Sequence, residues 1–151
     1  MGFFDKIKGA VNAVTGGAAT VTIEYPSGMI MPGESVAVKV TATSTGAEVK
    51  SKGIFVDVKG VEEVNIVDPN TKQKVTQSKG TMEQAFQIAQ AFVLNAKETK
   101  VFEGTIQLPT SLMPSFNGSL ASHSYFIRGR VEAFGNDPDS GFKPIRVGAK
   151  G

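Results

Sequence analysis

The sequence predicts an all-β fold: a single β-sandwich preceded by a short amphipathic helix. Three observations carry this. From Ala19 onward, apolar residues recur at every second position in one run after another. Gly- and Pro-containing turns separate these runs at short spacing, giving around eight strands in 151 residues. A helical period is confined to the first fourteen residues and to one ambiguous stretch near the middle. The length suits one domain of ordinary size, and we divide it into residues 1–17, the helix with a Gly-Gly hinge, and residues 18–148, the sandwich.

In Gly2 to Val14, Phe3, Phe4, Ile7, Ala10, Val11 and Val14 share one helical face, with Asp5, Lys6, Lys8 and Asn12 elsewhere. Gly16-Gly17 stops this helix. The period then changes to two. Ala19, Val21, Ile23 and Tyr25 alternate with polar residues until Pro26-Ser27-Gly28. Pro32-Gly33 forms a turn, because Pro presets the first corner and Gly accepts the positive φ of the second. Val36, Val38, Val40 and Ala42 define the second strand. A third runs from about Ala47 to Val58 and is expected to end at Lys59-Gly60, with a further short strand over Val61 to Val67. Asp68-Pro69-Asn70 reads as a turn, followed by a polar segment to Gly80.

Thr81 to Thr99 supports two patterns. Met82, Ala85, Phe86, Ala89, Phe92 and Val93 fit a helical face, whereas Phe86, Ile88, Phe92 and Leu94 fit one side of a strand with Gln90 out of place. The surrounding strands favour the second pattern from Phe86 onward. Thr99 to Leu108 is a strand closed by Pro109. Gly118 to Phe134 is predicted as the longest strand, with Tyr125, Ile127, Gly129, Val131 and Ala133 on one face and Phe126, Arg128, Arg130 and Glu132 on the other. Phe142 to Val147 is the last.

Composition narrows the function classes. A net charge of +2 with scattered lysines shows no basic stripe, so no nucleic-acid partner is expected. The absence of cysteine removes disulfides, thiolate catalysis and cysteine-ligated metals. No apolar run reaches the length of a membrane span. Asp5, Lys6, Lys8, Asn12 and Thr15 interrupt the apolar stretch that a secretory signal needs. Lys6 occupies the position where a myristoylation signal calls for Ser or Thr.

Few residues point to chemistry. The single histidine, His123, lies between Ser122 and Ser124 without a Gly-x-Ser-x-Gly elbow, and reads as a surface or strand-edge residue. Asn136 to Gly141 resembles half of a calcium loop, but Pro138 interrupts the donors and no Glu follows. Turn chemistry is therefore the expectation there, and no metal or other cofactor is implied. Arg128 and Arg130 share a strand face beside Glu132, so they form either a solvated outer face with a cross-strand ion pair, or an anion or partner contact, or part of a buried charge network. Phe126 beside them argues for some cover. Phe3, Phe4, Lys6, Ile7, Lys8 and Val11 offer a contact surface for the domain itself, a second copy, a protein partner or a lipid interface.

Gly104-Thr105-Ile106-Gln107-Leu108-Pro109, Pro114-Ser115-Phe116-Asn117-Gly118 and Tyr125-Phe126-Ile127 stand in the order G-x-I-x-L-P, P-S-F-x-G, Y-x-I. This order resembles the arrestin-like branch of the immunoglobulin-like β-sandwiches, and in particular the amino-terminal lobe of bacterial sporulation-control proteins. Met1-Gly2-Phe3-Phe4-Asp5-Lys6 is similar to the M-x-F-F-x-K start of that branch, and Met31-Pro32-Gly33-Glu34 approximates its early turn. The resemblance implies a non-enzymatic binding, scaffold or regulatory module in the cytoplasm. Its partner would be a protein, including a second copy in a homo-oligomer. Those families usually carry two lobes, and this chain has room for one. Two alternatives from other classes are a peripheral membrane or envelope-stress protein anchored by the helix, and a structural subunit of a larger assembly. A hydrolase organised around His123 is the enzymatic rival.

Overall fold

The structure, a computed structural model, describes residues 18–133 and 137–149. The N-terminal helix expected over residues 1–17, with its candidate contact residues, lies outside them. Two sheets face each other. The smaller has the order β1 (Ala19–Glu24), β3 (Ser35–Ser44), β7 (Thr99–Gln107). The larger runs β2 (Met29–Ile30), β10 (Lys143–Val147), β9 (Ala121–Ala133), β4 (Val49–Val67), β5 (Lys74–Ala89). β6 (Phe92–Leu94) adds to β4 and β8 (Phe116–Asn117) to β9. Every pairing is antiparallel except β2 with β10.

The alternation read from the sequence is the packing rule. Val21, Val36, Val38, Val40 and Ile106 point inward from the small sheet. Ile54, Val56, Val58, Tyr125, Ile127 and Val131 meet them from the large one, as the inner faces of a sandwich must. β-branched residues dominate because they suit a pleated, half-buried surface.

Two expectations need correction. Lys59-Gly60 does not end a strand, because β4 continues through it to Val67, 19 residues from Val49 in all. The polar segment before Gly80 is also strand, the first half of the 16-residue β5. It lacks the alternation that marks a strand because neither of its faces is buried. From Phe86 onward the strand pattern holds, as the neighbours implied: β5 runs to Ala89, Gln90 falls in the break before β6, and residues 95–98 turn into β7.

The small sheet covers only part of the large one. Beyond the Gly60/Val61 register shift, no residue of Val61–Val67 or of Lys74–Gly80 is buried. This distal part is a two-stranded extension flanked by the start of β9. Its tip is built by Asp68, whose Oδ1 accepts the Asn70 and Thr71 N–H groups at 2.8 and 3.3 Å. Lys72 takes the left-handed conformation at φ 64°.

Candidate functional site

Strand β5 is the outermost strand of the large sheet. Among the described residues it pairs with β4 alone, so a row of backbone donors and acceptors faces outward along it. Few devices protect this edge: no proline interrupts β5, and Lys74 and Lys79 are its only basic residues. Val64 and Ile66 continue the inward alternation of Ile54, Val56 and Val58, but among the described residues no opposing sheet covers them. Ile66 and Val75 face each other in register, 45% and 44% exposed. A donor–acceptor edge beside an uncovered apolar strip is what strand addition requires.

Arg128 and Arg130 occupy a different setting, the outer face of the same sheet opposite Asp57 of β4. Arg130 grips Asp57 with a fork, Nε to Oδ2 at 2.9 Å and Nη2 to Oδ1 at 3.1 Å. Arg128 adds Nε and Nη2 to Oδ2 at 3.0 and 2.8 Å. The loop before β10 closes over the pair. Asp139 lies 3.7 Å from Arg128, and Asp137 accepts from Arg130 at 3.1 Å. Rings complete the cover, with Phe142 4.4 Å from the Arg128 guanidinium and Phe55 4.8 Å from that of Arg130. The ion pair expected across strands is present, with Asp57 of the neighbouring strand as the partner that sequence spacing could not reveal, but it is largely enclosed rather than solvated; Glu132 adds a contact to Arg130 at 3.4 Å.

Burial alone would raise the Asp57 carboxyl. The hydrogen bonds and charges of Arg130 and Arg128 outweigh it and leave Asp57 below the usual carboxylate range. The same bond to Asp57 holds Arg130 more firmly protonated than a free guanidinium. Both arginines direct donors to carboxylates, and the network ties the described part of the loop, through Asp137 and Asp139, to the sheet. Asp139 Oδ1 also accepts the Gly141 N–H at 2.7 Å, the turn chemistry expected over the calcium-like segment. Among the described residues no cluster of three metal-binding side chains occurs.

His123 corrects its surface reading most clearly, being only 3% exposed. Its ring lies 4.7 Å from that of Tyr125 and 6.2 Å from that of Phe116. Nδ1 reaches the Pro114 carbonyl at 3.0 Å, and Tyr125 donates its hydroxyl to the Met113 carbonyl at 2.6 Å. Two inward side chains of β9 thus hold the crossing segment between β7 and β8. The signal missed in the sequence was parity, since His123 shares the odd-numbered inward face with Tyr125 and Ile127.

Two facing sheets, a long unpaired edge and polar side chains engaged within the fold define a β-sandwich of the arrestin-like class. The chain belongs to the family of the arrestin (or S-antigen) C-terminal domain, whose sequence model matches residues 15–143. The superfamily is the one its motifs resemble, and the matching domain is the carboxy-terminal one. Among solved structures it is similar to the sporulation control protein Spo0M from Bacillus subtilis, at 19% identity and TM-score 0.64. That match covers 89% of this chain and 51% of Spo0M, so the chain spans about half of that protein. It is also similar to AvmM, described as catalysing macrocyclization in alchivemycin A biosynthesis, at 12% identity and TM-score 0.51. That match covers 89% of this chain and 91% of AvmM. Both likenesses concern the fold alone. No curated protein matches the chain.

Proposed function

We propose that this chain is a non-enzymatic binding module, regulatory or scaffolding, that takes an extended segment of a protein partner along the edge of β5. The observation that carries the reading is the 16-residue β5 with β4 as its only partner among the described residues. Backbone pairing supplies affinity there, and the uncovered strip around Ile66 and Val75 supplies side-chain contact. An arrestin-like fold at the family level is in keeping with such a role.

Capture of native partners with the full chain, followed by mass spectrometry, tests it through two neighbouring prolines. Of Gln77 and Ser78, one directs its N–H toward β4 and the other toward the free edge. Gln77→Pro and Ser78→Pro therefore separate the ladder from the edge. One of them is expected to abolish capture while the protein stays folded by circular dichroism. Capture that survives in both folded variants rules the edge out.

A second reading rests on the apolar face of Phe3, Phe4, Ile7 and Val11 beside Lys6 and Lys8, which suits a lipid interface. No helix among the described residues is long and apolar enough to cross a membrane. Co-sedimentation with anionic vesicles tests peripheral binding: the full chain is expected to bind more than a chain starting at Ala18. Equal binding removes this reading.

A further inference from the structure

The register of β4 with β5 pairs Gly60 with Met82 and Val61 with Gly80, leaving Thr81 unopposed. Thr81 is a bulge residue, and a bulge re-aims the side chain it carries. Here it turns the Thr81 hydroxyl onto the inner face, where Oγ1 lies 2.7 Å from His123 Nε2. Gly60 makes the approach feasible, because a Cβ there would stand 2.5 Å from Thr81 Oγ1 and 2.9 Å from the Tyr125 ring.

The direction of the hydrogen bonds follows from the partners. A carbonyl can only accept, so His123 Nδ1 carries the proton that meets Pro114. In the neutral ring Nε2 then offers a lone pair, and the Thr81 hydroxyl donates to it. A hydroxyl, a base at hydrogen-bond distance and a third group fixing the base's tautomer are the parts of an activated nucleophile. His123 is buried while Thr81 remains exposed. Thr81 borders two clefts, of about 420 and 340 Å³. The lining of the larger mixes Met82, Pro109, Leu112 and Met113 with Glu83, Gln84 and Ser111, and its volume suits a small acyl group.

We propose that Thr81 and His123 form a nucleophile–base pair that accepts an acyl group from a small ester or thioester. Thr81 Oγ attacks the carbonyl carbon, and its proton passes to His123 Nε2. The new Oγ–C bond forms as the bond to the leaving oxygen or sulfur breaks, and Nε2 returns the proton to the leaving group. The product is an ester on Thr81, a modification at the centre of β5. The Thr81 hydroxyl satisfies the buried Nε2, and, unlike the ring, Thr81 lies exposed beside the clefts where an acyl donor can reach it. The proposal is independent of strand docking.

The test uses the full chain and p-nitrophenyl acetate, read by intact mass and peptide mapping. We expect one acetyl group on Thr81, formed faster than on any other threonine. T81S is expected to keep the reaction and T81V to lose it. In H123Q the amide can still donate to the Pro114 carbonyl but cannot take a proton, so acetylation of Thr81 is expected to slow roughly a hundredfold. Wild-type protein acetylated on lysines with Thr81 untouched overturns the proposal, and so does a folded H123Q that acetylates Thr81 at the wild-type rate. Should H123Q fail to fold, the wild-type, T81S and T81V proteins decide the matter between them.

Discussion

The two halves of β4 and β5 are made by the same ladder and meet opposite fates. On the near side of Gly60 and Thr81, Ile54, Val56 and Val58 are completely buried beneath the small sheet. On the far side, Val64, Ile66 and Val75 continue the inward pattern without a sheet to cover them. Strand pairing is thus shared by both halves and cannot be what separates them; apolar burial is. The near half is ordered by its core. The far half depends on the ladder and the Asp68 turn, which leaves its surface available for another chain.

The contrast is open to direct attack. The largest expected effect is Ile127→Ala, a fully buried deletion against the near half, which should lower unfolding free energy by about 2–5 kcal/mol in urea titrations. Ile66→Ala, on the far half, should stay within about 0.5 kcal/mol. Similar losses at both sites would abolish the distinction. Next, Asp57→Ala removes the shared carboxylate of two partly buried guanidiniums, leaving them, among the described residues, only Asp139, Asp137 and Glu132, and should cost about 3 kcal/mol by the same measurement. At the junction itself, Gly60→Ala is expected to lose about 1–3 kcal/mol, since the new Cβ collides with Thr81 and Tyr125. Gly80→Ala, with only the Gly60 carbonyl 4.0 Å away, should be nearly neutral.

The acid dependence of Asp57 gives a smaller signal. Its carboxyl is depressed in the folded state, so its stabilisation is present above the ordinary carboxylate range and fades as pH falls through the lower folded value. The stability gap between wild type and Asp57→Asn should therefore hold from neutrality to about pH 5 and close below about pH 4. A gap that closes at higher pH would contradict the depressed value.

Most strands were legible because one face of each is buried, as in Val36 to Ala42 and Tyr125 to Ala133. Lys74 to Gly80 was not, because exposure on both faces erases the alternation that betrays a strand. Gly60 read as a stop for a related reason. A glycine required by close packing and one required by a turn look alike in a sequence. The candidate sites were less accessible still. Arg128 and Arg130 were visible as a pair, but Asp57 lies 71 residues from Arg128 and is joined to it only by register. Thr81 carried no mark at all, since a bulge is a property of two strands and not of one.

The pairing of β2 with β10 also constrains the order of folding. Met29-Ile30 lies beside Arg146-Val147 as the one parallel ladder among the described residues, so an early segment waits for a late one. During synthesis, β2 lacks its neighbour until residues 143–147 have emerged, and β9 keeps an open flank until then. The nascent domain therefore exposes the flank of β9 in addition to the β5 edge that the finished fold keeps, so its aggregation risk is greatest before residues 143–147 are in place.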